Sequence, residues 1–374
     1  MQFFGKTNID FIGLRKVAFV ISGIAICIGI ISLALKGGPK LGLDFTGGIE
    51  VHFKFNEFTP ISRVRAGLSK IGLGNAVIQS YGKKDENLVL VRFGVEEISK
   101  NIASEIVAYR EKNGKFTTLE ELKDIRGINS IGYENLVKFI TINPSQKDKI
   151  NINQIKEDSL APLLQQITSQ KMSAKIEKAV KEEFKERKNA FIVRSINLIG
   201  PKISEELRKG ALLAIAFSLV GMLIYISWRF KLRFAVGAVV ALTHDVFISV
   251  GALSLCNFEF NLTVIAALLT IIGYSLNDTI VIYDRIRENF KTYRKKRFPY
   301  KKVFNLSINQ SLSRTVITSL TTFVVVLALF LWGGAAIHGF AFALLVGVIV
   351  GTYSSSFVAT PVVYTWGEDK TKRR

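Results

Sequence analysis

Long apolar stretches alternate with polar segments along the chain. Six stretches have about 20 residues each, enough to cross a hydrocarbon core roughly 30 Å thick as helices. The polar segment between the first two, residues 36–209, is long enough to fold as a domain. This pattern predicts a polytopic α-helical membrane protein with one inserted domain. The predicted spans are Val17–Leu35, Ala211–Trp228, Leu232–Leu255, Leu262–Tyr283, Thr315–Trp332 and Ile337–Phe357.

Residues 1–35 would then form the amino terminus and the first membrane helix, and residues 210–374 the other five with a basic tail. In the inserted segment, apolar and polar residues alternate from Ile49 to Phe55, which is typical of a half-buried strand. His52 falls on its polar side and is expected to be a surface residue rather than a ligand. Thr59 is predicted to cap the helix that follows.

The rest of the inserted segment completes a recognisable order of elements. Strands are predicted in NAVIQSY and NLVLVRFGV, a charged helix over residues 159–188, and a last strand in AFIVRSINLI. Strand, helix, strand, strand, helix, strand is the order of a ferredoxin-like α+β unit. The sequence therefore predicts such a domain between membrane helices one and two.

Residues 101–150 interrupt this pattern as a helical insert. Within them FTTLEELKDIRGINSIGYENLVKFI, residues 116–140, predicts two short helices around a Gly-Ile-Asn turn and resembles a helix-hairpin-helix element. The turn lacks the second glycine of the Gly-Ile-Gly turn with which such elements hold phosphates. A packed subdomain or a partner-docking insert is therefore favoured over a nucleic-acid site.

The chain carries a formal charge of +20 at pH 7, and its basic residues cluster beside the spans. Arg15 and Lys16 precede the first span, residues 229–233 link the second and third, residues 284–302 follow the fourth, and KTKRR ends the chain. The links after the third and fifth spans contain no Lys or Arg. Because short cytoplasmic loops are rich in Lys and Arg, both termini are predicted to be cytoplasmic and the large domain extracytoplasmic. Orientation explains these clusters, so nucleic-acid binding is not expected.

A cleaved signal peptide is the alternative interpretation of the first span. The apolar run is longer than a usual signal-peptide core and no A-x-A site follows it, so a retained helix is favoured. Cys27 and Cys256 lie in or beside spans and are interpreted as small apolar residues. The sequence contains no evident nucleophile, metal cluster or phosphate-binding glycine loop, so we predict neither an enzyme nor a cofactor or metal site.

Ionisable residues inside the predicted spans are the main candidates for function. Asp278 lies in the inner half of the fourth span, His244 and Asp245 near the middle of the third, and Arg314 at the inner end of the fifth. A charged side chain in a bilayer costs on the order of 3 kcal/mol on insertion scales, and protonation, pairing or contact with water lowers that cost.

Two interpretations of these residues compete. In one they only hydrogen-bond helices to each other, as Thr263, Thr270 and Asn277 at seven-residue spacing would. In the other, Asp278 and Asp245 load and release protons under the membrane potential, and Arg314 adjusts their affinity. Proton coupling is favoured because simple adhesion needs fewer ionisable groups. The supporting polar residues are Asn277, His244, Thr279 and Thr318, the last in a stripe with Arg314 and Thr321.

Five motifs are spread over both ends of the inserted domain and the whole membrane part. They are GLDFTGG with Asp44, Gly47 and Gly48, then GPKISEELRKG, THDV, GYSLNDTIVIYDRIREN and SRTVITSLTT. In this order they resemble the SecD/SecF family of protein-export membrane proteins, within the RND superfamily, and specifically its SecF branch. The insert at 116–140 makes the inserted domain longer than expected for that family.

The resemblance implies an RND-like half in the bacterial inner membrane, with its large domain in the periplasm. It implies use of the proton-motive force to assist preprotein translocation, with Asp278 and Arg314 at the family's functional carboxylate and arginine. Asp245 matches the third-span acidic position. The implied partners are SecD, which would supply another proton-handling Asp, the SecYEG channel, the translocating preprotein and membrane lipid. An exporter half for small or lipidic solutes and a non-catalytic scaffold remain alternatives, as do H⁺ and Na⁺.

Overall fold

The computed structural model describes residues 7–70, 73–74, 76–81, 86–94, 96–125, 128, 133–146, 148–184, 191–293, 298–334 and 337–372. The chain divides into two compact units. The membrane unit comprises Met1–Lys40 and Gly210–Arg374, and the inserted unit comprises Leu41–Lys209.

Six helices are long and apolar enough to cross a membrane, which confirms the predicted polytopic fold. The fourth and fifth extend well past their apolar stretches, beyond Tyr283 and before Thr315, because the helical backbone continues into amphipathic segments. Membrane helices one to six are Arg15–Leu35, Pro201–Arg229, Leu232–Leu255, Leu262–Tyr293, Tyr300–Trp332 and His338–Ser354, the last continuing through a π-helical turn, Ser355–Ala359, into Thr360–Lys372.

Membrane helices three, four and six form the interior of the membrane unit, with about half of each apolar window buried. Membrane helix one packs directly on membrane helix three through glycines. A Cβ atom added to Gly29 would lie 2.8 Å from the Cα atom of Gly251. Such close approach of two helix backbones requires a residue without a side chain at both positions.

The strands of the inserted unit are β1 Gly48–Phe55, β2 Val77–Tyr81, β3 Leu88–Phe93, β4 Ile140–Thr141, β5 Ile150–Asn151 and β6 Phe191–Ile199. Four of them form an antiparallel sheet with strand order β2-β3-β1-β6. Two helices, Ile61–Ser69 and Glu157–Phe184, cover one face of it and bury the alternate residues Ile49, Val51 and Phe53. This order and connectivity confirm the ferredoxin-like prediction. Strands β4 and β5 pair with each other in a separate two-stranded sheet.

The insert builds a second apolar core against the first half of the long helix Glu157–Phe184. The sequence did not predict its largest element, the helix Glu96–Asn113. Two short elements follow, a 3₁₀ turn over Leu119–Asp124 and a helix over Tyr133–Leu136. The Gly-Ile-Asn turn predicted between them has its glycine and asparagine outside the described residues.

Two local predictions in this unit need correction or detail. Thr59 does not cap the helix: Pro60 occupies the N-cap position, and the Thr59 hydroxyl donates to Glu57 O at 3.1 Å. His52 lies on the polar side of β1 as predicted, but its side chain is only 19% exposed, with Nε2 2.7 Å from Glu50 Oε1 and Nδ1 2.9 Å from the Tyr81 hydroxyl.

Candidate ion-coupling site in the membrane unit

Two carboxylates are buried among the membrane helices. Asp245 on membrane helix three is 0% exposed, and Asp278 on membrane helix four is 4% exposed. In the first polar pair both His244 and Asp245 are buried, whereas in the second Asp278 is buried and Asn277 is exposed. The surroundings of the two carboxylates differ, and each is described in turn.

Asp245 lies in a network that spans four membrane helices. Its Oδ2 atom accepts hydrogen bonds from Ser275 Oγ at 2.6 Å and from Ser354 Oγ at 2.8 Å. Its Oδ1 atom lies 2.9 Å from Nδ1 of His244. On the far side of the imidazole, Nε2 lies 3.0 Å from Ser22 Oγ on membrane helix one.

The donors at the end of this network fix where its protons lie. Tyr353 donates its hydroxyl hydrogen to Ala18 O at 2.8 Å, so the Ser22 hydroxyl donates to Tyr353 across 3.2 Å. Ser22 has then used its only hydrogen, and Nε2 of His244 must donate to it. One proton remains between Nδ1 of His244 and Asp245 Oδ1. The His244–Asp245 pair is therefore neutral overall in this hydrogen-bond arrangement, whichever of the two atoms holds that proton.

Asp278 has a much sparser environment. Its Oδ2 atom accepts one long hydrogen bond, 3.3 Å, from Ser319 Oγ on membrane helix five. Ser319 Oγ in turn lies 2.7 Å from Thr352 Oγ1 on membrane helix six. Among the described residues, Ser319 is the only hydrogen-bond partner of Asp278, so most of the acceptor capacity of this carboxylate is unused. Thr279 beside it is buried and donates to Ser275 O at 3.3 Å.

Arg314 lies on membrane helix five, and its side chain is exposed on the surface of this chain. Its charge acts on Asp278 electrostatically, but in the described part of the chain the two residues do not form an ion pair within 4.0 Å. The stripe predicted with it does not face the interior: Thr318 Oγ1 donates to Arg314 O, and Thr321 Oγ1 donates to Ile317 O. The buried polar stripe of this helix is Ser311, Thr315 and Ser319.

The polar residues expected to join membrane helix four to its neighbours point away from this bundle. Thr263, Thr270 and Asn277 are all exposed on the chain. The Thr270 hydroxyl donates to Ala266 O of its own helix, and the Thr263 hydroxyl donates to the Asn261 side chain. These residues therefore do not join helices within this chain. Membrane helix four carries them as an exposed polar face.

The Asp44, Gly47 and Gly48 motif lies in the inserted unit rather than beside the buried carboxylates. Gly47 has φ of +70° and Gly48 has φ of +142°, values that favour glycine. A Cβ at Gly47 would lie 2.7 Å from Gln165 Nε2, the atom that donates to Thr46 O. These glycines therefore shape the entry into β1. Within the described part of the chain, no group of three His, Cys, Asp or Glu side chains could hold a metal ion.

Sequence reasoning found both buried carboxylates but missed the hydroxyls that distinguish them. Ser22, Ser275 and Ser354 bind the His244–Asp245 pair, and Ser319 binds Asp278. For Ser319 the sequence does contain an indication, because Ser311, Thr315 and Ser319 recur at four-residue spacing on one helical face.

Residues 179–369 match the family described as protein export membrane protein SecD/SecF, C-terminal. The chain belongs to the SecD/SecF family. It is 36% identical to the protein translocase subunit SecF of Calditerrivibrio nitroreducens over 96% of this chain and 94% of that protein. It is 35% identical to the SecF subunit of Vibrio alginolyticus, over 98% of this chain and 92% of that protein. Residues 90–141 also match the helix-hairpin-helix motif.

Among solved structures, the chain is similar to SecDF of Thermus thermophilus, described as a translocon-associated membrane protein. The sequence identity is 28% and the TM-score is 0.66, over 97% of this chain. The chain spans only 39% of the length of that SecDF protein. The likeness therefore concerns the part of the SecD/SecF architecture with six membrane helices and one inserted α+β unit.

Proposed function

We propose that this chain is the SecF-type subunit of a Sec protein-export complex in the bacterial inner membrane, and that it uses the proton-motive force to assist preprotein translocation. The relatives that match nearly its full length are named protein translocase subunits. Its basic helix ends face the cytoplasm in this proposal, which places the inserted unit in the periplasm, where a translocating preprotein emerges.

The observation that carries the proposal is the sparse environment of Asp278. A group that is to exchange protons across a potential must lie within the membrane and must have room to accept a proton. Asp278 is buried on a membrane helix and accepts a single long hydrogen bond. Arg314, close enough to act on it without an ion pair, is suited to changing its proton affinity by moving nearer.

Asp245 has a secondary part in this proposal. Its proton is shared with His244, and its partner Ser275 lies one helical turn from Asp278 on membrane helix four. A change in the protonation of Asp278 that moves this helix would therefore strain the hydrogen bonds to Asp245. In this proposal Thr279 adds a buried hydroxyl beside Asp278, Thr318 donates to the backbone of Arg314, and Asn277 faces outward from the bundle.

SecD is the proposed partner for the outward polar faces of the membrane unit. Thr270 and Asn277 on membrane helix four are exposed on this chain, as is Arg314 on membrane helix five. Polar side chains in a membrane are stabilised by partners on neighbouring helices. We place the membrane helices of SecD against these faces, beside the SecYEG channel.

The test measures ion-gradient-driven preprotein translocation in inverted membrane vesicles. It compares vesicles that contain the native chain with vesicles that contain the Asp278→Asn or the Arg314→Ala variant. The gradient-dependent part of transport should fall to background in Asp278→Asn, because asparagine cannot take up a proton. Asp284→Asn is the matched control: it makes the same chemical change on the same helix, at a surface carboxylate paired with Arg229 at 3.2 Å.

Assembly with SecD is measured by co-purification in every variant. If Asp278→Asn assembles normally and keeps its full gradient dependence, the proton-coupling proposal is wrong and a scaffold role replaces it. Imposing H⁺ and Na⁺ gradients separately identifies the ion, with H⁺ the expected one.

A further inference from the structure

A cleft of about 490 Å³ lies at the basic end of the membrane unit, where membrane helix two ends, membrane helix three begins and membrane helix four passes. Five of the side chains that line it are cationic and the other three are phenylalanines. They are Arg229, Lys231, Arg233, Arg287 and Lys291, with Phe230, Phe234 and Phe290.

The cations of this cleft exceed the carboxylates available to them. Asp284 lies 3.2 Å from Arg229, and within the described ranges it is the only acidic partner of the five. Arg285 on the same helix is outside the cleft lining and pairs with Glu288 at 2.9 Å. The cleft therefore concentrates positive charge that this chain does not neutralise, which attracts an anion.

Arg233 supplies a second and independent indication. One guanidinium nitrogen, Nη1, donates to the Tyr300 hydroxyl at 3.3 Å. The Nε–H group is buried and has no hydrogen-bond partner among the residues that the structure describes. A buried donor without an acceptor is costly, and the cost is largest for a charged group. An oxyanion bound in the cleft would supply the missing acceptor.

The position of the cleft favours an amphipathic anion over a small soluble one. Trp228, next to Arg229, is 87% exposed at the end of an apolar membrane helix. Tryptophan is enriched at the level of lipid headgroups, which places the neighbouring cations at the same level. The phenylalanine rings give the cleft an apolar wall suited to the first carbons of an acyl chain.

We propose that this cleft binds the headgroup of an acidic phospholipid, with its phosphate held by Arg233 and Arg287. Guanidinium groups suit this task because their planar N–H donors match the geometry of phosphate oxygens. Basic pockets between membrane helices recognise acidic headgroups in the same way. The site is separate from the buried carboxylates and does not depend on ion coupling.

Tryptophan quenching tests this directly on the full chain. Trp332→Phe and Trp366→Phe leave Trp228 as the only tryptophan, since the chain has 3. This chain is reconstituted into phosphatidylcholine vesicles with a minor fraction of phosphatidylglycerol, and brominated acyl chains are placed on one lipid or the other. At equal mole fraction, brominated phosphatidylglycerol should quench Trp228 several times more strongly than brominated phosphatidylcholine.

Arg233→Gln and Arg287→Gln should each lower the apparent affinity for phosphatidylglycerol about fivefold, as expected for one basic residue near an anionic surface. Arg285→Gln removes the same charge outside the cleft and should leave the affinity unchanged. Circular dichroism checks that each variant is folded, and Arg233→Lys, which keeps the charge but lacks the planar fork, should fall between native and Arg233→Gln.

Three outcomes would overturn the proposal. The first is equal quenching by the two brominated lipids in the native sequence. The second is an effect of Arg285→Gln as large as that of Arg233→Gln, which would reveal only a diffuse basic surface. The third is displacement of the lipid by inorganic phosphate at constant ionic strength, which would show a site for soluble anions.

Discussion

The two buried carboxylates occupy similar depths in the structure's interior but use their oxygens differently. Asp245 accepts hydrogen bonds from two serines and shares a proton with His244. Asp278 accepts one bond, and that bond is long. The comparison teaches that burial alone does not identify a working carboxylate. Asp245 is hydrogen-bonded to residues of membrane helices four and six, whereas Asp278 keeps most of its acceptor capacity unused.

The largest expected difference in stability is at Asp245. Asp245→Ala leaves the Ser275 hydroxyl and one imidazole nitrogen without a partner, and Ser354 keeps only its 3.3 Å bond to Gly351 O, so we expect a loss of about 3 kcal/mol. Asp245→Asn should cost less than about 1 kcal/mol, because an asparagine amide can donate to Nδ1 of His244 while its oxygen accepts from both serines. The midpoint of thermal unfolding of the purified full chain measures both.

The same pair of substitutions tests the proton assignment. If Asp245→Asn destabilises the chain as much as Asp245→Ala, the shared proton does not lie on Asp245, because a carboxamide mimics a protonated carboxyl group. Asp278→Asn is the reference here: with a single long hydrogen bond to lose, it should unfold close to the native temperature.

A smaller effect separates the serines that serve the two carboxylates. Ser354→Ala removes a 2.8 Å bond to Asp245 and should cost about 1 kcal/mol. Ser319→Ala removes the 3.3 Å bond to Asp278 and the contact with Thr352, whose hydroxyl keeps a 2.6 Å bond to Val348 O, so it should cost less than Ser354→Ala. Thermal unfolding of the two variants side by side is the measurement, and equal losses would mean that the two sites do not differ as described.

A third carboxylate extends the comparison to the inserted unit. Burial alone would raise the pKa of Glu50, but hydrogen bonds from His52, Arg92 and Asn197 outweigh it and hold the pKa below its ordinary value. Because the pKa of Glu50 is lower in the folded state than in the unfolded state, Glu50 stabilises the unit at pH values above its unfolded-state pKa. This stabilisation is lost as the pH falls through the folded-state pKa.

Amide hydrogen exchange of the full chain, corrected for intrinsic exchange rates, measures this effect. The protection factors of the β1 and β3 amides should decrease as pH falls from neutral into the acidic range. Because the group is half buried, the expected loss is only about 1 kcal/mol or less. Glu50→Gln should remove this part of the pH dependence. If Glu50→Gln keeps the native pH dependence of amide protection, another titratable group is responsible for that dependence.

The membrane spans could be predicted because their composition alone reveals them, but the helix ends could not. Hydropathy reports the width of the apolar region, whereas a helix ends where its backbone hydrogen bonds end. Membrane helix four therefore continues to Tyr293, where the buried Ile286 and Asn289 keep one face against the bundle. The helix Glu96–Asn113 was missed because its sequence was interpreted as an interruption of the sheet pattern.

The candidate site could be predicted only in part. Asp245 and Asp278 are conspicuous because a charge in an apolar run is rare. Adjacent residues on a helix point about 100° apart, and the sequence does not say whether one or both face the bundle: His244 and Asp245 are both buried, but of Asn277 and Asp278 only Asp278 is. The serines are neutral and common in membrane helices, so their partners become visible only once the helices are packed.

The close approach of Gly29 to Gly251 has a consequence for how the protein is made. The residues that join membrane helices one and three are far apart in the chain; Ser22 and His244, for example, are 222 residues apart. At about 5–20 residues per second, a ribosome takes roughly 10–45 s to cover that interval. Membrane helix one must wait that long in the bilayer, with its glycine face uncovered, before its permanent neighbour has been synthesised.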